Sequence, residues 1–595
     1  MESVRQQLTR LFSDVFQAKN LDTKYGFVTV SDRPDLAHFQ CNGALASAKP
    51  LKRNPRELAQ EVILAVEAES TQRFGTEALR FSIAGPGFIN VILNDGLLAR
   101  FAQEQTHDQR LGVPLLEKPL KVVVDYGGPN IAKGMHVGHL RSSIIGDSIV
   151  RLNRFFGHQV IGDNHIGDWG TQMGMLICEL KLRKPELAYF AVDFKASEVE
   201  GKAAPVTLAD LEEMYPTASK RYADDEAFKE EVLRATDELQ SGRRGYKALW
   251  QQFVNVTIDD LMRDYARLGI KFDLWTGESF YEELMPAMVE RLKATGITQI
   301  SDGALIIPLA DETDPDMPPI ILVKRGGGFL YHTSDLATCE YRAKTLRADR
   351  ALYVVDKRQT LHFQQVFKAV RKTGLGGQCE FQHTPFGTMN GTDGKPFKTR
   401  SGGTLKLKDV IQLINDEAKK RLGELQAERP YPADELEDIA EKVGIATLKF
   451  ADLKHNRMAD YIFDLEKFAK FEGHTGPYLL YATVRIKSIS RKALSQGLKS
   501  GQILAPIKDS ERKLILELFK LPDILQLALQ ESEPHHICEY GFNISQIFNG
   551  FYGECHILRE TDPARQGSWL ALSQLCHDHL QLCLSLLGIT VPEKM

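Results

Sequence analysis

The stretch PNIAKGMHVGHLRSS, Pro129 to Ser143, sets His136 and His139 three residues apart around Gly138, at a point where an apolar strand gives way to a helix. These residue types at a helix mouth suit an oligophosphate. The first-turn amides are unpaired, the helix dipole favours an anion, imidazoles can meet phosphate oxygens, and glycine lets the backbone come close. Lys133, just upstream, adds a point charge. Histidines at this interval can also ligate zinc, but further ligands are needed and only His165 lies nearby, so no zinc is expected. Two commoner nucleotide signatures are missing. There is no GxxxxGK[ST] loop and no GxGxxG after a strand, the nearest being GPGFIN from Gly85, which disfavours P-loop and dinucleotide-binding enzymes.

The elements that must position these residues follow from hydrophobic periodicity. The run KVVVDY, Lys121 to Tyr126, reads as a buried parallel strand ending in an acid. From Leu140 the apolar residues Ile144, Ile145, Ile149, Leu152, Phe155 and Phe156 recur at helical spacing, closed by Gly157 before a second strand at Gln159 to Ile161. From about Cys178 to Asp311 the sequence is charged and mainly helical, with strand-like material only at its end, and reads as an insertion. The α/β pattern then resumes with IILVK (Ile320 to Lys324), a Gly326-Gly327-Gly328 turn, a helix from near Thr333, the strand ALYVVD (Ala351 to Asp356) and a helix ending at Gly374. The expectation is a doubly wound α/β sheet with a mostly helical insertion.

Two further regions flank it. Residues 1–112 read as an α+β domain, with an amphipathic start through Leu8, Leu11, Phe12 and Phe16, a helix near Pro55 to Glu67 and the strand FINVILN from Phe88. Residues 439–595 have helical spacing almost throughout and predict an all-α bundle, leaving 113–438 as the α/β domain with its insertion at about 178–311.

Composition narrows the setting. In 595 residues, 74 basic and 79 acidic side chains give a formal net charge of −5, so any nucleic-acid surface must be local. No apolar run approaches the roughly 18 residues of a membrane span. Eight cysteines lie scattered without a CxxC pair, which fits free thiols in a reducing cytoplasm. Cys576, His579 and Cys583 fall near one helical face, but their leucine neighbours favour buried thiols over a metal site.

PNIAKGMHVGHLRSSIIGD, followed by NHIGDWGTQMG (Asn164 to Gly174), resembles class I aminoacyl-tRNA synthetases and, over essentially the whole chain, arginyl-tRNA synthetases. The resemblance implies a Rossmann-like, HIGH-type nucleotide-binding catalytic domain, an N-terminal additional α+β domain near the tRNA elbow and an all-α anticodon-binding domain. It implies an arginine-tRNA ligase acting on ATP with its Mg²⁺, L-arginine and tRNA(Arg), as a cytoplasmic monomer. HVGH, His136 to His139, takes the place of the family's HIGH motif. Pro129, Asn130, His136, Gly138, His139 and Lys398 are then expected at ATP, with Lys133, Lys395 and Lys398 joining the two histidines in catalysis. The second signature, KMSKS, is degenerate: DGKPFKTRSGG, from Asp393, puts Thr399 where its second lysine falls, a form found in many arginyl enzymes together with a lysine upstream of the HIGH-type motif, here Lys133.

A planar cation such as arginine calls for a bidentate carboxylate and an aromatic face. Tyr331 and Asp335 in YHTSD, with Gln359 in DKRQTLH, match the family's guanidinium set, and Asp125 and Asn130 match positions that hold the amino group and nearby polar atoms. Without the resemblance, Asp335 is an ordinary first-turn acid. For RNA, Tyr478, Tyr481 and Arg485 open a basic run reaching Lys499, a pattern suited to phosphate contact and base stacking but also to a plain amphipathic helix. The competing readings are a noncatalytic tRNA-binding paralogue, supported by the degenerate second signature, and another HxGH-type nucleotidyltransferase, for which the helical C-terminal region and the insertion have no use.

Overall fold

The computed structural model describes residues 2–31, 33, 35–391, 394, 406–425 and 431–595, and the chain forms two compact units. One comprises residues 1–116, 432–446 and 470–595, the other residues 117–431 and 447–469.

In the first unit the helix Val4–Ala18 buries Leu8, Leu11, Phe12 and Phe16, and the helix Pro55–Phe74 starts with Pro55 at its first position behind an Asn54 cap. A four-stranded antiparallel sheet in the order Val28–Val30, Phe39–Cys41, Phe88–Leu93, Leu79–Ala84 completes the α+β part. Five long helices follow near the C-terminus, Gly476–Ser495, Asp509–Leu518, Leu521–Glu531, His535–Glu554 and Pro563–Leu586. The helix Asp95–Thr106 packs against them through Phe101 on Phe519 and the Arg512–Asp95 ion pair at 2.9 Å.

In the second unit the strands are, in chain order, β1 (Lys121–Asp125), β2 (Gln159–Asp163), β3 (Gln299–Ser301), β4 (Ala304–Ile307), β5 (Ile320–Val323), β6 (Arg350–Tyr353), β7 (Glu380–His383), β8 (Met389–Asn390) and β9 (Tyr461–Ile462). Four of them form a parallel sheet in the order β7-β6-β1-β2. Consecutive strands leave β1 in opposite directions, so a crevice opens between the C-terminal ends of β1 and β6, where an open α/β sheet binds its ligand. The helix Val137–Phe155 follows β1 and is closed by Gly157 at φ +96°, as its spacing predicts. The strand ALYVVD and the helix before Gly374 are found as β6 and Thr360–Thr373.

One strand is not where its apolar run suggests. Ile320–Val323 does not continue the parallel sheet but pairs antiparallel with β4, which pairs with β3. Its burial alternates, with Ile320 and Leu322 inside, whereas β1 is buried at four successive residues. That is the difference between a sheet covered on one face and a parallel one covered on both. The stretch before it contains the helices Thr171–Arg183, Leu208–Asp224, Glu226–Gln240 and Arg244–Arg267, which share one apolar core.

Gly146 shows how tightly the sheet holds the Val137–Phe155 helix. A Cβ there would fall inside the contact distance of Tyr126 Cβ and Cγ, and Tyr126 is fully buried after β1. Helix propensity alone makes Gly146→Ala a gain of about 1 kcal/mol, whereas overpacking costs about 1–3 kcal/mol. The expected outcome is a net loss, read as a lower urea midpoint for the unit containing the parallel sheet; a raised midpoint would contradict the packing.

Candidate active site

The crevice is a cavity of about 470 Å³. Its floor is the strand ends. The loop after β1 turns through Gly127 and Gly128 at φ +89° and +58°, and a Cβ on Gly127 would lie 2.7 Å from the Tyr265 hydroxyl oxygen, so only glycine fits. Ser142 accepts from Gly127 N at 2.8 Å and donates to Val354 O at 2.6 Å, fastening the β1 loop to the end of β6. Asn164 accepts from Gly128 N at 2.9 Å, fastening it to the chain beyond β2.

His136 caps the helix that begins at Val137. Its Nδ1 accepts from Gly138 N at 3.0 Å, while His139 Nδ1 accepts from His136 N at 3.4 Å, and the rings stack at 3.8 Å between centroids. This is a capping box built from two imidazoles. Because each Nδ1 is an acceptor, each neutral ring carries its proton on Nε2, so the pair offers two Nε2–H donors. Burial keeps them neutral: His139 is pushed down to about 3, by desolvation first and then by its neighbours His136 and Lys133, and His136 is lowered for the same first reason. Gly138 is required for a reason closer than any ligand, since a Cβ there would meet His136 Cε1 at 2.8 Å.

At the other end of the cavity the helix Tyr331–Glu340 is tied to β5 by Thr333 Oγ1 donating to Leu322 O at 2.6 Å. Tyr331 stands 60% exposed at its first turn, and one turn on the Asp335 carboxylate meets His362 Nε2 at 2.8 Å. His362 lies one turn past Gln359, which caps the helix Thr360–Thr373. The Tyr331 helix runs on into a π-helical turn, Tyr341–Thr345, which delivers the fully buried Arg342. Its Nη2 lies 2.7 Å from both Asp125 Oδ2 and Asp163 Oδ2, and its guanidinium sits 4.8 Å over the Tyr353 ring. Burial raises the Asp125 carboxyl, with Arg342 opposing.

The cavity thus brings together Asp125, Asn130, His136, Gly138, His139, Tyr331, Asp335 and Gln359. Pro129 is buried beside it, accepting from Gly167 N at 3.2 Å. Lys133 does not line it; its ammonium sits 4.7 Å over the Tyr215 ring, in the inserted segment. Lys395, Lys398 and Thr399 lie outside the described residues. Tyr478, Tyr481 and Arg485 are in the other unit, on the helix Gly476–Ser495. There the Tyr478 hydroxyl accepts from Gln546 and Asn549, Arg485 lies 4.8 Å over the Tyr552 ring, and Tyr481 is 43% exposed.

Sequence reasoning missed several of the cavity's functional groups. Glu278 lines it on a single helical turn, Glu278–Tyr281, and is raised to about 7 by burial, with Asp335 and Asp168 adding to the effect. His362 and Ser142 lie within the quoted DKRQTLH and PNIAKGMHVGHLRSS stretches but were given no role, and Arg342 lay outside every motif. Among the described residues no group of three or more His, Cys, Asp or Glu side chains is disposed to hold a metal ion. His579 is instead buried with its Nδ1 2.8 Å from the Tyr540 hydroxyl.

Comparison with known proteins adds family to geometry. Residues 103–465 match the family described as tRNA synthetases class I (R), catalytic domain; residues 479–595 match the DALR anticodon binding domain, and residues 2–93 the arginyl tRNA synthetase N terminal domain. A protein of Alkaliphilus oremlandii called arginine–tRNA ligase is 46% identical over 598 residues, covering all of both chains, and one of Agathobacter rectalis with the same name is 43% identical over 98% of each. Among solved structures, the arginyl-tRNA synthetase of Plasmodium falciparum superposes over the whole of both chains with a TM-score of 0.81 at 26% identity.

The imidazole cap makes a spectroscopic prediction. In a ¹⁵N histidine spectrum, His139 should show the Nε2–H form and no titration from pH 8 down to about 5, since its pKa is held well below the ordinary value near 6.5. A midpoint near 6.5 for His139 in the folded protein would overturn the cap.

Proposed function

The chain belongs to the arginyl-tRNA synthetases, and from that premise we propose how the cavity serves the reaction. The reaction is that of an arginine–tRNA ligase: L-arginine is activated by ATP as arginyl-adenylate with release of pyrophosphate, and the arginyl group passes to the terminal ribose of tRNA(Arg) with release of AMP. Arginine lies with its guanidinium toward Tyr331, Asp335 and Gln359, and Glu278 supplies a second carboxylate beside Asp335. Its α-ammonium lies at Asp125. Asp125 shares the Arg342 guanidinium with Asp163, so it has no cation of its own and can take one from the substrate.

ATP lies along Pro129, Asn130, His136, Gly138 and His139. As a carboxylate oxygen of arginine attacks the α-phosphorus, the bond to the pyrophosphate oxygen breaks. The Nε2–H donors of His136 and His139 then meet the charge gathering on the phosphate oxygens. Fixed neutral donors in a water-poor site are effective here because they need no reorganisation. Lys133, Lys395 and Lys398 are assigned to the phosphates from sequence alone. Mg²⁺ arrives with ATP, bound to its phosphates. Asp125, Asp335 and Asp356 are engaged by Arg342, His362 and Arg358, and Glu278 is given to the guanidinium, so no protein cage is assigned to it.

For tRNA(Arg), residues 1–112 approach the elbow and, within residues 439–595, the helices from Gly476 to Leu586 receive the anticodon stem and loop, with exposed Tyr481 available for base stacking beside Tyr478 and Arg485. The enzyme acts as a monomer in the cytoplasm; among the described residues no helix is long and apolar enough to cross a membrane. The reciprocal His136–His139 cap, opening onto the same cavity as the Asp335–His362 pair, carries the reading.

Arginine-dependent ATP–pyrophosphate exchange, with and without tRNA(Arg), tests it. His139→Ala should lower kcat by about 10²–10³-fold, as for loss of a donor to developing charge. Asp335→Ala should raise the KM for arginine on the order of 100-fold while leaving tRNA binding within about twofold, because truncation unpairs a buried cation site. Equal loss of arginine use and tRNA binding, or loss of neither, would refute the assignment of Asp335.

The elevated Glu278 adds a pH dependence. Its carboxyl is ionised above about 7 and takes up a proton below it, so the KM for arginine should rise as pH falls through that region. Glu278→Gln should have a high KM at all pH values and lose this inflection. An inflection that survives the substitution belongs to another group.

A further inference from the structure

The inserted helix Leu208–Asp224 hydrogen-bonds the loop that carries the two histidines through Glu212. Glu212 accepts with both oxygens: Oε1 from the backbone N–H of Gly134 at 3.0 Å and Oε2 from the ammonium of Lys406 at 2.6 Å. Gly134 is two residues before His136, and Lys406 is the first described residue after the 395–405 segment. These partners are also joined to each other. His136 and Lys406 form an antiparallel bridge, and Leu407 N donates to Met135 O at 2.9 Å. Glu212 therefore closes a small triangle of backbone and side-chain bonds whose third corner is the cap of the Val137–Phe155 helix.

Further features accompany the contact. A Cβ at Gly134 would lie 2.6 Å from Glu212 Oε1, so a larger residue there would displace the carboxylate. The helix is fixed at its start by a capping box in which Thr207 and Asp210 bond reciprocally, one turn before Glu212. Three residues after Glu212, on the same helix face, Tyr215 lies under the Lys133 ammonium. Both ends of the loop Lys133–His136 are thus referred to one helix of the insertion.

Resting on the synthetase reading above, we propose that Glu212 is a positioning residue for adenylate formation: it sets the distance between the histidine loop and the backbone at Lys406. It touches neither substrate. Its effect is exerted through Gly134 and Lys406 on where His136 and His139 present their Nε2–H groups. A displacement on the order of 1 Å in such donors can cost about a hundredfold in rate. The expected signature is therefore in turnover and not in recognition of arginine, whose guanidinium and ammonium sites lie on other elements.

The test compares Glu212→Ala, Glu212→Gln, Lys406→Met and the double variant Glu212→Ala/Lys406→Met in ATP–pyrophosphate exchange with saturating tRNA(Arg). Glu212→Ala should lower kcat by about 10–100-fold with the KM for arginine changed by less than about twofold; Glu212→Gln, which still accepts from Gly134, should lose roughly 3–10-fold. The double variant should be no worse than Glu212→Ala, because the two side chains act as one unit. Hydrogen exchange at the Gly134 amide should quicken in Glu212→Ala and stay near the unsubstituted rate in Glu212→Gln. Turnover of Glu212→Ala within twofold of the unsubstituted protein, an unchanged Gly134 amide, or a parallel rise in the KM for arginine would overturn the proposal while leaving the synthetase reading standing. Absence of arginine-dependent exchange in the unsubstituted protein would overturn both.

Discussion

Arg342 is the residue on which the rest of the site depends. The parallel register sets Tyr353 of β6 beside Asp125 of β1, and Asp125 beside Asp163 of β2, so three side chains at one level of the sheet point the same way. A slip of one residue in any of these pairings would send one of them to the opposite face. The buried guanidinium meets both carboxylates at 2.7 Å and covers the tyrosine ring, from the π turn into which the Tyr331 helix changes at Tyr341. Removing one partner from such a cluster costs far more than the pair is worth as a stabiliser, because a charge is left buried and alone. The arrangement is better understood as fixing register and placing a shared carboxylate at the floor of the cavity than as a source of stability.

A second buried arginine does the corresponding work for the histidine helix. Arg141 follows the HVGH motif by two residues, is 1% exposed, and bonds Asp452 at 3.1 Å and the carbonyl of Ala459 at 3.1 Å. Tyr461 donates to the same aspartate at 3.0 Å and stacks under the guanidinium, while β9, which contains it, pairs with β8. Nearly two turns further, Asp147 faces the buried Lys449. Residues 447–469 therefore belong physically with the parallel sheet although they follow it by a long stretch of chain, and they hold the helix that presents His136 and His139 at Arg141 and Asp147.

Much of this was legible in the residues. The apolar run before an acid, the helical recurrence from Leu140 and the closing Gly157 correspond to β1, the Val137–Phe155 helix and its left-handed exit, because local periodicity and turn chemistry agree there with the tertiary outcome. The run Ile320 to Val323 did not reveal its sheet: four apolar residues hide an alternation that only the neighbours define. Glu278 and Arg342 were invisible for a different reason. Each is a single charged side chain whose role comes from what lies across the cavity or across the sheet, and no spacing along the chain encodes that. Gly138 was legible as necessary, but the stated cause was incomplete, since the atom it makes room for is His136 itself.

The electrostatic design follows from having to hold a cation and a polyanion side by side. If the phosphate end used protonated histidines, their charge would lie close to the ammonium and guanidinium of the amino acid and oppose its binding. Burial avoids this by keeping His139 neutral down to about 3 and leaving only its N–H dipole to act. At the opposite end Asp125 is held by the Arg342 guanidinium and Asp335 is hydrogen-bonded to His362, so both carboxylates have partners within the site. Strong attraction to each substrate is thus given up at both ends for a cavity in which the two do not compete. What remains to drive the reaction is placement of the donors, and that is why a carboxylate outside the cavity, bonded to the loop that carries them, can matter to the chemistry.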